Sequence, residues 1–134
     1  MPIVLIVDDM ESDRLLIRLW LEKLSQPVET IELTDGRDFV AWMENPQNPV
    51  PDLVILDLKM QRMSGAEALA KLSGNTRLAK TKVVVRTESD QQSDKDSVYQ
   101  AGPEHLIYAQ KRPTSRDIIE IMSDALSIPL RTQL

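Results

Sequence analysis

The sequence predicts an α/β domain, a three-layer sandwich in which a five-stranded parallel sheet carries helices on both faces. Two observations predict it. Short, continuous apolar runs rich in β-branched residues recur along the chain, as in strands buried on both faces. The segments between them place apolar residues at helical spacing, and parallel strands need such crossover connections.

The elements follow in order. Ile3-Val4-Leu5-Ile6-Val7 is the first strand. Ile17, Trp20, Leu21 and Leu24 then lie at i, i+3, i+4 and i+7, one face of a helix over Glu11 to Leu24. Val28 to Leu33 is a second strand, and Phe39, Trp42 and Met43 mark a helix between Asp35-Gly36 and Asn45-Pro46. Leu53-Val54-Ile55-Leu56 is the third strand, followed by a helix marked by Ala66, Leu69 and Ala70 that ends near Gly74-Asn75. Lys82 to Thr87 is the fourth strand. From Ser89 to Ala101 only Val98, Tyr99 and Ala101 offer apolar contacts, so a helix there is shallowly anchored. Leu106-Ile107-Tyr108-Ala109 is the fifth strand. Ile118, Met122 and Ala125 mark a last helix, with Thr114 and Asp117 spaced as a capping pair. Residues 1–134 read as one domain, with a core to residue 127 and a short tail over 128–134.

Composition narrows the function. The 134 residues are 42% hydrophobic and 28% charged, a globular balance. The net charge of −5 argues against direct nucleic-acid binding, which favours a basic surplus. With no cysteine and one histidine, His105, neither thiol chemistry nor a His-rich metal centre is available. His105 reads as a loop or strand-edge residue, and Trp20 and Trp42 as helix–sheet packing. Arg86, next to Thr87, is expected at the surface because adjacent strand residues point to opposite faces. No apolar run approaches the roughly 20 residues of a membrane span, and Asp8-Asp9 interrupts the only N-terminal one. The expectation is an intracellular, cytoplasmic domain with no membrane insertion.

In a parallel sheet of this kind the binding crevice lies beyond the carboxyl ends of the strands. Asp8 and Asp9 follow the first strand, Asp57 the third and Lys111 the fifth, and Thr87 ends the fourth. Any one alone has an ordinary explanation: a helix cap, a turn, a strand residue, a solvated charge. Together they demand a ligand, since each close carboxylate pair costs roughly 4 kcal/mol at 4 Å under an effective dielectric near 20. A hard divalent cation offsets that repulsion. Three carboxylates, one Mg²⁺ and the Lys111 ammonium sum to zero charge.

The stretch Pro51-Asp52-Leu53-Val54-Ile55-Leu56-Asp57-Leu58-Lys59-Met60-Gln61-Arg62-Met63-Ser64-Gly65 resembles the response-regulator receiver domains of two-component signalling. That family shows a hydrophobic strand, a phosphoacceptor Asp and then Met-Pro-x-Met-[Asp/Ser]-Gly. The resemblance covers nearly the whole chain and implies a flavodoxin-like strand order of 2-1-3-4-5. It implies Asp57 as phosphoacceptor, and Mg²⁺ held by Asp8 or Asp9, by Asp57 and by the Lys59 backbone carbonyl. It implies Thr87 and Lys111 as phosphoryl contacts and Tyr108 as the switch aromatic. Implied partners are a sensor histidine kinase or histidine phosphotransfer protein and a downstream protein target, reached by a monomer or weak dimer. Such a domain is not an enzyme, beyond assisting its own phosphotransfer and dephosphorylation.

Several positions depart from the family pattern. Gln61 replaces the proline after Met60, and Glu88 stands where a small residue is usual. Lys59 and Glu88 are expected to set reaction rates, with Lys59 in reach of Glu88. Arg112 separates Lys111 from Pro113, which makes Arg112 the alternative cation. A flavin site needs a Ser/Thr/Gly-rich loop where this chain has Asp8-Asp9-Met10-Glu11-Ser12-Asp13, and an aspartyl phosphatase needs an acid where it has Lys59. No Gly-rich nucleotide loop occurs. The alternative function is a receiver-fold interaction domain that is not phosphorylated. With no output domain expected beyond the last predicted helix, signalling is expected to pass through protein contacts.

Overall fold

The computed structural model describes residues 1–88, 91–103, 105–111 and 116–132. The elements are β1 (Ile3–Val7), α1 (Glu11–Leu21), β2 (Glu29–Leu33), α2 (Gly36–Glu44), β3 (Leu53–Leu56), α3 (Gly65–Lys71), α4 (Thr76–Ala79), β4 (Lys82–Thr87), α5 (Gln92–Ala101), β5 (Ile107–Gln110) and α6 (Arg116–Leu126). All strand pairings are parallel, in the order β2-β1-β3-β4-β5. The predicted flavodoxin-like architecture is therefore the observed one.

Strand alternation divides the core in two. Leu5, Val7, Val54, Leu56, Val83 and Val85 pack in one cluster with Phe39, Leu69 and Val98. Val4, Ile6, Leu53, Ile55 and Val84 pack in the other with Ile17, Leu21, Ile118 and Met122. Thus α1 and α6 cover one face, and α2, α3 and α5 the other. Both faces of β1 and β3 are dry because both are covered.

Four details differ from the sequence reading. The first helix ends at Leu21, and Leu24 instead forms an isolated antiparallel bridge with Leu130. A short sixth helix, α4, precedes β4 because the Asn75 side chain accepts from the Arg77 and Leu78 N–H groups and starts a new turn. On α3, Ala68 is buried and Ala70 exposed, the reverse of the weight placed on Ala70. The fifth strand is shifted by one residue, to Ile107–Gln110. The segment before it does form a helix, α5, whose only buried residue is Val98 and whose Tyr99 is exposed. Thr114 and the Asp117 side chain, the expected capping pair, lie outside the described residues.

Candidate functional site

The sheet ladder runs on past the strands and delivers the site residues to one edge. The Asp8 N–H donates to the Leu33 carbonyl (3.0 Å), the Asp57 N–H to the Val7 carbonyl (2.9 Å) and the Lys111 N–H to the Thr87 carbonyl (2.7 Å). Asp8, Asp57 and Thr87 are buried, and Asp9 and Lys111 are half-buried. Asp8, Asp9 and Asp57 each offer an oxygen within 4.8 Å of the others. Asp8 does not cap α1, which has no side-chain cap; its Oδ1 accepts from the N–H of Met10, the residue before the helix (2.9 Å).

The loop after Asp57 is held by backbone contacts. Gly65 donates to the Leu58 carbonyl (2.8 Å), and a Cβ there would stand 2.3 Å from the Asp57 carbonyl oxygen, so only glycine fits. Ser64 and Glu67 form a capping box at the start of α3. Gln61, in place of the family proline, accepts from the Met63 N–H (2.8 Å). Met63 in turn accepts from the Gly36 N–H (3.1 Å), and Arg62 reaches buried Asp35 at 3.4 Å. The loop is thereby fastened to the beginning of α2.

Lys111 lies at the centre. Its Nζ donates to Asp13 (2.7 Å), Asp8 (3.0 Å) and Asp57 (3.4 Å). Burial opposes its charge, but the carboxylates of Asp13, Asp57 and Asp8 outweigh that and hold its pKa above the ordinary lysine value. Burial raises Asp57 to about 6, with the Asp8 charge adding to the effect and Lys111 opposing it. Asp8 is raised for the same first reason, its burial.

Thr87 ends β4 opposite Gln110, next to the lysine. Tyr108 is half-buried on β5, with the Lys95 ammonium 5.5 Å from its ring centre. Lys59 and Glu88 are exposed, and the Lys59 N–H lies 3.4 Å from Asp57 Oδ1. Arg112, the alternative cation, lies outside the described residues.

Two contributors escape the sequence reading. Asp13, on α1, holds Lys111 more closely than either expected carboxylate does. Arg86 is buried, not at the surface. It lies on the α1/α6 face of β4, 5.0 Å from the Trp20 ring centre and 3.9 Å from Asp13. Asp13 lies in the first turn of α1 whereas Asp9 precedes the helix, so no regular spacing in the sequence links it to the acidic pair. Four carboxylates against Lys111 and Arg86 leave a deficit of two positive charges. An all-oxygen donor set with that deficit fits one hard divalent cation.

The Response regulator receiver domain family model matches residues 4–122. Response regulator Rcp1 of Synechocystis sp. is 29% identical over 135 residues, covering 97% of this chain and 90% of that protein. The crystal structure of the Mn²⁺-bound form of Rcp1 superposes with a TM-score of 0.78 at 28% identity, over 100% of this chain and 98% of that one. The phosphorylated cyanobacterial phytochrome response regulator RcpA gives 0.81 at 25% identity, over 96% and 98%. No described helix is long and apolar enough to cross a membrane. Sheet order, acidic cluster, half-buried lysine and family match agree: the chain belongs to the response-regulator receiver domains of two-component signal transduction.

Proposed function

We propose that the chain is a phosphorylation-dependent receiver in which Asp57 accepts a phosphoryl group from a phosphohistidine of a kinase or phosphotransfer protein. The observation that carries this reading is the Asp57 carboxylate at the end of central β3, gathered with Asp8 and Asp9 and reached by the Lys111 ammonium. An Asp57 oxygen attacks phosphorus in line. The P–O bond of an acyl phosphate forms as the P–N bond breaks, and the electron pair returns to the imidazole. Such a transfer needs positioning and charge neutralisation more than covalent machinery.

Lys111 and the Thr87 hydroxyl take phosphoryl oxygens, and Tyr108 follows Thr87 as the switch aromatic. Asp8, Asp9, Asp57 and the Lys59 carbonyl would hold Mg²⁺, which when bound supplies Lewis-acid neutralisation of the phosphoryl charge. A Mn²⁺-bound relative and a phosphorylated one support divalent-metal binding and phosphorylation for a domain of this kind. The reading extends to one cytoplasmic domain over residues 1–134 that signals through a downstream protein. Phosphorylation changes the local charge from −1 to about −1.5 to −2, and that change is the signal.

Intact-mass measurement after incubation with acetyl phosphate and Mg²⁺ tests the reading. One phosphoryl group is expected on the wild type and none on Asp57→Asn. An unmodified wild type, or modification mapped elsewhere, would leave the non-phosphorylated interaction domain as the better account.

A further inference from the structure

Asp13 stands between two cations. One of its oxygens accepts from Lys111 Nζ at 2.7 Å, and the other lies 3.9 Å from Arg86 Nη1. Arg86 Nη1 has no hydrogen-bond partner and is the one such buried side-chain atom among the described residues. The Arg86 guanidinium packs 5.0 Å from the Trp20 ring centre, on the sheet face opposite that of Tyr108. A buried, charged donor left without an acceptor is costly. A shift of Asp13 toward it would satisfy it.

We propose that Asp13 and Arg86 are positioning residues that form a charge relay, carrying the state of Asp57 through the sheet to Trp20 on α1. The relay rests on the reading of Asp57 as phosphoacceptor. Lys111 is shared among Asp13, Asp8 and Asp57, and Asp57 is the most distant of the three. A phosphoryl group on Asp57 adds negative charge and three strong acceptor oxygens, and these draw Lys111 away from Asp13. Asp13 then loses its closest partner and is repelled by the added charge. Its other cation among the described residues is Arg86, so the carboxylate closes on the unpartnered Nη1. The guanidinium moves with it and alters its contact with the Trp20 ring, which is electrostatic and sensitive to position. No proton and no covalent bond is transferred in the relay. It needs only that one lysine cannot serve Asp13 and a phosphoryl group equally.

This route differs from the Thr87–Tyr108 side of the site in the face it reaches. Arg86 pairs in register with Ala109, which belongs to the α1/α6 cluster, whereas Tyr108 packs against the other cluster. The device places one response on each face of the sheet.

The chain has two tryptophans, so Trp42→Phe leaves Trp20 as the single indole reporter. That protein is treated with acetyl phosphate and Mg²⁺, and emission and intact mass are followed in parallel. Trp20 emission should change in step with the phosphorylated fraction, and Asp57→Asn should abolish both. Added separately, Asp13→Asn and Arg86→Met should each cut the emission change per phosphorylated molecule by more than half. Arg86→Lys, which keeps the charge, should restore part of it. A merely structural arginine would not link the response to Asp13. Either variant decides the matter if the other fails to fold. A phosphorylated protein with unmoved Trp20 emission would overturn the relay alone, as would a full response in the Asp13 or Arg86 variant. Absence of any mass shift would overturn the reading of Asp57 and the relay with it.

Discussion

Asp57→Asn should make the metal-free protein more stable, and only above acidic pH. The Asp57 carboxyl, ordinarily near 3.8, is raised to about 6 by its burial and by the Asp8 charge, against the opposing pull of Lys111. Between those values the native state binds more protons than the unfolded chain, so this group makes stability rise as pH falls. Above about 6 the penalty is fully present, and below about 3.8 it is gone. At about 1.4 kcal/mol per factor of ten, the gap is worth roughly 3 kcal/mol. Asparagine mimics the neutral acid and should recover that amount near pH 7. An unfolding entropy of about 2.1 cal/mol/K per residue makes this a rise of about 10 °C in Tm for a domain of this size.

The assay is thermal unfolding of both proteins in chelator, from near neutrality to about pH 4, read as the difference between them so that other titrations cancel. The difference should shrink steadily on acidification. It should also close in saturating Mg²⁺, which stabilises the wild type by mass action, about 2.7 kcal/mol at a hundredfold excess over Kd. An asparagine variant less stable than wild type near pH 7, or a gain that persists unchanged near pH 4, would refute the electrostatic account.

Two further outcomes follow from the same geometry. Asp9→Ala should lessen the rise of Tm with Mg²⁺, because Asp9 supplies one of the clustered oxygens; an identical Mg²⁺ response in both proteins would remove Asp9 from the metal set. Glu88→Ala should speed both phosphorylation by a small donor and loss of the phosphoryl group, and Lys59→Ala should mainly speed the loss, since both exposed side chains follow strand ends at the site. Rates for Glu88→Ala within about twofold of wild type, ~0.4 kcal/mol of barrier, would show that Glu88 points away.

Strand positions and the three-carboxylate cluster were legible because both are local. Ile3–Val7 and Leu53–Leu56 are continuous apolar runs, and each is followed at once by its acid. Lys111 was readable only as the residue after a poorly defined fifth strand. Its role at the centre depends on Asp13, Asp8 and Asp57 arriving from two other strand ends and a helix. The expectation for Arg86 erred instructively. Alternation correctly places Arg86 opposite Thr87, but in a sheet covered on both faces the opposite side is another dry layer, not solvent. A charge at such a position is therefore a demand for partners, which Trp20 and Asp13 meet only in part, leaving Nη1 without a hydrogen bond. The helix break at Leu72 and the short α4 were hidden because Asn75 reads equally as a turn residue and as a cap.

The two apolar clusters and the acidic edge belong to one energetic design. A domain of this size is stable by only about 5–15 kcal/mol, so roughly 3 kcal/mol of suppressed ionisation at Asp57 is a sizeable part of the total. The scaffold tolerates it because β1 and β3, which carry Asp8 and Asp57, are dry on both faces and cannot separate without exposing Leu5, Ile6, Ile55 and Leu56. Removing one such side chain costs about 2–5 kcal/mol, comparable to the penalty that burial, with the Asp8 charge second, places on the Asp57 carboxylate. The carboxylates are therefore kept together while poorly neutralised. Any ligand that supplies positive charge there is favoured by the same interaction that the apo fold endures. The same holds for Arg86, whose unpartnered Nη1 is tolerated because β4 and Trp20 hold it in place. Close packing of the strands and unsatisfied charge at their ends together make the site responsive: a change at Asp57 acts first on the side chains that share Lys111.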